Sequence, residues 1–466
     1  MKSRVYLRVG LTALLFMLAS FQLFAQSRGA ILDPDLYNRL PQKAIQVSRA
    51  YTELPATVSL KQYTPYPGNQ GQYGTCVAWS TAYAARTIAE SIALKRRDRF
   101  LTTTNVFSPT FIYKSVADDP TGQAGTAISW ALDFMRNEGA VKMLDFERST
   151  DFLSILLSAF TKSRRYPIAD YTTLYAWHNT VSGPDRVRAV KKSLAEGKPV
   201  IIGMNCPDSF FTVKDVWRPT ESPRTNYGGH AMCVIGYDDT KQGGVFEIQN
   251  SWGERWGNAG YIWIPYDVFG SFVNEAYEII ENLAAYQEVI EYAGFAEIER
   301  YGSDTGMPVV FQDGYYRTID SYPSGTEFRY LLGNDKPAYV YAFAADEATT
   351  STTRIFPPEG SNVSPVLDYA ENVVAFPGEY SWIQLDNRPG TDYLVVLYSK
   401  QALDIDGVRA RFAQERGSFP ERVAKAVGSD FISYYQGNYE QDALRFSATS
   451  TNSKAVFGLL LAIAHR

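Results

Sequence analysis

Asn69-Gln70-Gly71-Gln72-Tyr73-Gly74-Thr75-Cys76-Val77-Ala78-Trp79-Ser80 is the stretch on which the reading of this chain turns. A glycine-punctuated loop runs to Thr75. From Cys76 to Leu94 the apolar positions Ala78, Ala82, Ala85, Ala89 and Ile92 recur at steps of three and four, which predicts a helix. Cys76 then falls on the first turn, where unpaired N–H groups and the helix dipole stabilise a thiolate and lower the thiol pKa. Gln70, six residues earlier, carries a side-chain amide that can donate beside the sulfur, as stabilising an oxyanion requires.

Two later stretches supply complementary groups. In Gly228-Gly229-His230-Ala231-Met232-Cys233-Val234-Ile235-Gly236-Tyr237 a histidine opens an apolar strand behind two glycines, which allow close approach of backbone or substrate. In Gln249-Asn250-Ser251-Trp252-Gly253 an asparagine at a strand end is suited to orient an imidazole, and Trp252 to shield that bond from water. Each residue also has a plainer reading. Cys76 would serve as a buried helix cysteine, His230 as a satisfied structural histidine, Asn250 as a strand cap and Trp252 as core packing.

In this order the three stretches resemble the papain/cathepsin family of cysteine peptidases. The resemblance covers about half the chain and implies an α+β fold, a papain-like two-lobed cysteine peptidase domain. It matches the nucleophile to Cys76, the general base to His230, the orienting asparagine to Asn250 and the oxyanion donor to Gln70, with Trp252 supporting. It also places Gly228 and the end of the 199–205 strand near the pocket for the substrate's second residue, and Gly125 along the cleft. The implied mechanism is acyl transfer through a thioester on a polypeptide substrate, needing no metal or cofactor. The alternatives are a cell-wall amidase or acyltransferase using the same Cys/His pair, and a non-catalytic binding protein on a peptidase scaffold.

The chain departs from the family pattern in several places. Tyr73-Gly74-Thr75-Cys76-Val77 stands where the family often has Cys-Gly-Ser-Cys-Trp. The Cys76-to-His230 spacing is about twenty residues longer than the usual separation of about 130–150, and residues 148–185 are the expected insertion. Residues 26–58, read as a short pro-segment or extended arm, are too short for a helical inhibitory pro-segment, which puts conventional zymogen control in doubt.

Outward from the motifs, residues 59–284 form the expected peptidase domain. A helix is expected at 127–137, with strands at 199–205, 230–237, 244–250 and 260–264. Residues 300–466 read differently. Short β-branched and aromatic runs at 328–332, 338–343 and 393–398, punctuated by Gly-Asn, Pro-Gly and Pro-Ser-Gly, predict a β-sandwich-like domain with a helical insert near 407–414 and a buried closing strand at 455–464. It weakly resembles a secreted bacterial β-rich domain of unknown function. Its aromatics suit a protein or polymer partner, against the plainer reading of a structural accessory. The N-terminus, with Lys2, Arg4 and Arg8 before an apolar run from Leu11 to Phe24 and a small residue at Ala25, reads as a signal peptide over 1–25. The expected destination is the periplasm, cell surface or medium of a bacterium, with no membrane span after signal removal.

Whole-chain arithmetic sets the outer bounds. With 466 residues, 45% hydrophobic and 20% charged, the chain has material for real cores, which excludes wholesale disorder. A net charge of −5 argues against nucleic acid as a partner. Cys76, Cys206 and Cys233 are the only cysteines, too few for a disulfide framework. A free-thiol state is favoured for Cys206 and Cys233. His178 and His465, the other histidines, are given no catalytic role.

Overall fold

The computed structural model describes residues 26–44, 54–117, 119, 121–146, 159–177, 181–282, 290–303, 305–346, 351–368 and 372–466. The signal peptide, His178 and much of the expected insertion lie outside these residues. The chain divides into two compact units. The first takes the described residues up to Tyr37, with Pro55–Ile168 and Tyr175–Ile279; the second takes Asn38–Leu54, Ala169–Leu174 and Ile280–Arg466.

In the first unit the helix starting at Cys76 is a composite. A short α-helical turn, Cys76–Ala78, leads into a π-helical stretch, Trp79–Arg86, and then α-helix again at Thr87–Ala93. Hydroxyls crowd the junctions: Ser80 Oγ (3.0 Å) and Thr81 Oγ1 (2.7 Å) both donate to the Val77 carbonyl, and Thr87 Oγ1 donates to the Ala82 carbonyl. Such side chains compete for the carbonyls of the i→i−4 ladder, and wider turns of this kind sit often at functional sites. The helix is buried all round. Alongside the alanine stripe, Thr81, Arg86, Thr87 and Glu90 are also inside. Glu90 is neutralised there by Lys142 at 2.5 Å and Arg96 at 3.2 Å.

Five strands build the opposite lobe: β1 (Val200–Asn205), β2 (Gly229–Asp238), β3 (Val245–Gln249), β4 (Tyr261–Pro265) and β5 (Val273–Ile280). They lie in the order β5-β1-β2-β3-β4, and Thr57–Ser59 also pairs with β2. The β1–β2 register sets Met204 opposite His230 and Asn205 opposite Gly229. The β2–β3 register sets Cys233 opposite Gln249, so Asn250 leaves the sheet at the end where His230 enters it.

The second unit contains, among its described residues, a seven-stranded and a six-stranded sheet. Their inner faces share one core, with Tyr292, Ile298, Tyr330 and Leu332 from one and Val340, Leu394, Val396 and Leu459 from the other. This is the expected β-sandwich. The Tyr398 hydroxyl crosses that core to the carbonyls of Phe295 (3.0 Å) and Gly333 (2.9 Å). Gly294 makes room for its ring, because a Cβ there would lie 2.1 Å from it. The helical insert spans Ile405–Gln414, a second helix follows at Phe419–Val427, and the closing strand is Val456–His465. Among the described residues, no helix is long and apolar enough to cross a membrane.

Candidate active site

The loop that carries Gln70 is zipped to the loop that follows Asn250. Asn69 and Trp252 form an antiparallel bridge, Gln70 N donates to the Ser251 carbonyl (2.8 Å) and Gly253 N to the Gly68 carbonyl (2.8 Å). This pairing brings together residues far apart in sequence. Cys76 is fully buried at the start of its helix, and the backbone amide of Ala231, next to His230, hydrogen-bonds the Cys76 sulfur.

His230 Nε2 lies 2.8 Å from Asn250 Oδ1. The same oxygen accepts the Ser251 amide at 2.8 Å, which fixes the orientation of the Asn250 side chain. Nε2 therefore carries the proton, and Nδ1, which has no hydrogen-bond partner, keeps its lone pair. Trp252 stacks on the imidazole with centroids 4.5 Å apart, and Phe211 stacks on Trp252 at 4.7 Å. The His230–Asn250 bond is thus sealed from water on that face.

Gln70 is held by a residue that sequence reasoning missed. Ser251 Oγ donates to Gln70 Oε1 at 2.6 Å, leaving the Nε2 group to donate. Nε2 donates to the Tyr73 carbonyl at 2.8 Å and, at 2.9 Å, to the carbonyl of Ser27. That second bond identifies what lies in the cleft, an extended strap formed by the chain's own residues 26–32.

The strap is held mainly through its backbone. Gly29 N and Ala30 N donate to the Gly229 carbonyl (3.1 and 3.0 Å). Ile31 N donates to the Thr126 carbonyl (3.0 Å), and Thr126 N returns a bond to the Gly29 carbonyl (2.9 Å). Ala30 is thereby paired on both sides, antiparallel with Gly229 and parallel with Thr126. Close approach needs glycines: a Cβ on Gly29 would lie 2.0 Å from the Gly74 carbonyl oxygen, one on Gly125 2.7 Å from the Gly29 oxygen, and one on Gly229 2.2 Å from the Ala30 oxygen. Gly228 has φ +94° and faces the Arg28 side chain. Arg28 pairs with Asp208 and lies over the Phe211 ring at 4.8 Å. The Gly29 amide, not a carbonyl carbon, is what the strap offers the Cys76 sulfur.

Burial under the strap sets the electrostatics. Desolvation pushes the Cys76 thiol up to about 11, against the opposing pull of the Ala231, Val77, Gly29 and Cys76 amides. It pushes His230 down to about 4, where the Asn250 hydrogen bond resists and the Arg28 charge assists. In this arrangement both groups are neutral. A third perturbed group is Glu275 on β5, which the sequence reading did not single out. Burial raises it to about 8, although the Tyr277 hydroxyl donates to it at 2.9 Å. Gly203 has no side chain, and Leu32 of the strap and Glu275 fill the space beside it. Cys206 and Cys233 are free thiols. His465 lies in the β-sandwich, between Asp392 and Ser324.

Residues 61–277 match the sequence model of the papain family cysteine proteases. An uncharacterized peptidase C1-like protein of Acanthamoeba polyphaga mimivirus is 28% identical over 214 residues, which is 42% of this chain and 63% of that protein. Mouse cathepsin K is 26% identical over 207 residues, 43% of this chain and 56% of that protein. The chain thus spans about six-tenths of the length of these curated relatives. Among solved structures, the cysteine protease xylellain from Xylella fastidiosa aligns over 55% of this chain and 96% of its own, with 22% identity and a TM-score of 0.43. Residues 61–277 of this chain belong to the papain family of cysteine proteases.

Proposed function

We propose that the first unit hydrolyses peptide bonds in polypeptides with Cys76 as nucleophile, and that the strap of residues 26–32 holds it latent. His230 Nδ1 takes the Cys76 proton. The thiolate attacks the scissile carbonyl, and the developing oxyanion is stabilised by Gln70 Nε2 and the Cys76 backbone amide. The imidazolium then protonates the leaving amine, the S–C bond of the thioester holds the acyl group, and water releases it. Asn250 keeps the ring oriented throughout, and Ser251 keeps Gln70 oriented.

One observation carries this reading: Gln70, beside Cys76, already donates to a peptide carbonyl, that of Ser27 at 2.9 Å. The cleft holds extended main chain on both walls, as a peptidase must. The strap's direction fits latency, since it sets an N–H against the sulfur where a substrate must present a carbonyl carbon. The neutral Cys76–His230 pair fits it too, because burial withholds the thiolate until water returns. Export by the 1–25 segment, with action outside the cytoplasm, belongs to the same proposal. The test is intact-mass labelling of residues 26–466 with a peptidyl-epoxide thiol reagent, with and without a strap-expelling substitution. Single labelling that needs Cys76 and slows in His230→Ala is expected. Equal labelling of Cys76→Ala would refute it.

A further inference from the structure

The strap belongs to both units. Residues 26–32 lie in the peptidase cleft. Asp33 then caps a one-turn helix, Pro34–Tyr37, and accepts the amides of Asp35 (2.9 Å) and Leu36 (3.0 Å). Tyr37 is buried in the first unit, with its ring against Trp177 and Tyr277. From Asn38 onward the chain is part of the second unit. There Asn362 Nδ2 donates to the Asn38 carbonyl (2.5 Å), Gln42 N donates to the Asn362 carbonyl (2.5 Å), and Ser364 N donates to the Gln42 carbonyl (2.7 Å). On the other side Thr173 N donates to the Pro41 carbonyl (2.9 Å) and Lys43 N to the Thr173 carbonyl (2.8 Å). Gln42 is thus a two-sided strand position, paired with Val363 and Thr173. Ala44 joins the buried cluster between the two sheets.

A short segment held in a cleft by main-chain bonds competes with every peptide that enters. Its occupancy depends on how closely it is tethered, because effective concentration falls steeply as the tether lengthens. Only six residues separate Ile31, the last one paired in the cleft, from Asn38, the first one held by the β-sandwich. Without the β-sandwich contacts the strap would depend on the single anchor at Tyr37. The next strand of the first unit is Thr57–Ser59.

We propose that the β-sandwich unit is the latch of the strap. By gripping residues 38–44 with Asn362, Val363, Ser364 and Thr173, it sets how long the peptidase cleft stays covered, and releasing that grip is a route to activation. This rests on the strap reading above and assigns a task to the second unit.

The test uses the full chain from residue 26. Asn362→Ala changes an exposed residue and removes the donor to Asn38. Gln42→Pro removes the amide that donates to Asn362 and leaves the sandwich residues untouched. Gly29→Val, which cannot fit against Gly74, serves as the opened reference. The readouts are the rate of Cys76 labelling by the peptidyl epoxide and amide exchange at Gly29, Ala30 and Ile31. Both latch variants are expected to label about fivefold faster than wild type, with faster exchange at the three strap amides and unchanged exchange in β2. Wild-type rates in both latch variants, with fast labelling of Gly29→Val, would overturn the latch and leave the peptidase reading standing. A Gly29→Val chain that stays unlabelled would overturn the peptidase reading, and the latch with it.

Discussion

Gly29→Val is the sharpest perturbation the geometry offers. A Cβ at this position would lie 2.0 Å from the Gly74 oxygen, 2.4 Å from its carbonyl carbon and 2.6 Å from its Cα. All three are backbone atoms in the turn that carries Cys76, so no rotamer change relieves the clash. The strap must leave, or shift by about an ångström or more. Gly29 makes two of the bonds that hold it, N to Gly229 O at 3.1 Å and O from Thr126 N at 2.9 Å. At about 1 kcal/mol each these account for about 2 kcal/mol. Overpacking against fixed neighbours adds about 1–3 kcal/mol. The strapped state should therefore lose about 3–5 kcal/mol relative to the open one, a rise of about 10²–10³-fold in the open fraction until opening is complete. The assay is the second-order rate of Cys76 labelling at neutral pH, read by intact mass. Ser27→Ala, which keeps the carbonyl that Gln70 binds, should label at the wild-type rate. Should Gly29→Val also label at the wild-type rate in a folded chain, the strap does not control access and the reasoning fails.

Three further outcomes follow from groups on the same page. His230 is depressed to about 4 in the strapped state, so its neutral form contributes stability that is present above the ordinary imidazole pKa near 6.5 and is lost as pH falls from about 6.5 to 4. Acidification across that window should loosen the strap, seen as amide exchange at Gly29–Ile31 faster than the intrinsic pH dependence predicts; equal or slower exchange would contradict it. Glu275 is raised to about 8, so its stabilising contribution is complete below about pH 4.5 and is lost as pH rises through 8. Glu275→Gln should therefore flatten the fall in melting temperature between pH 4.5 and 8 and be worth about 3–5 kcal/mol at the upper end; parallel melting curves for the two proteins would refute this. Gly294→Ala drives a methyl into the Tyr398 ring, at 2.1 Å, and should cost about 1–3 kcal/mol by calorimetry, with no loss if the sandwich core repacks freely.

The catalytic candidates were legible because each sits on a strong local signal. Cys76 follows a glycine loop and opens an alanine-rich helical run, and His230 and Asn250 flank strands whose bounds match the expected ones within a residue or two. The helix was legible but its π-helical middle was not, since that depends on which carbonyls Ser80, Thr81 and Thr87 choose. The strap shows where sequence reasoning stopped short. Residues 26–58 are too short for a helical pro-segment, but an extended chain covers about 3.3–3.6 Å per residue, so six or seven residues cross a cleft. Nothing periodic marks Ser27-Arg28-Gly29-Ala30, because its bonds are main-chain bonds to Gly229 and Thr126, far away in sequence. Glu275 was invisible for a related reason: a lone acid on a strand reads as a solvent position until the fold buries it behind Gly203.

The most direct test of the central claim is cleavage of a denatured polypeptide by the Gly29→Val chain, followed by electrophoresis and fragment mass, beside the Gly29→Val/Cys76→Ala double variant. The account predicts progressive fragmentation by the first protein and none by the second. Fragmentation that survives the loss of Cys76, or an opened and folded chain that cuts nothing while its thiol labels freely, would contradict it.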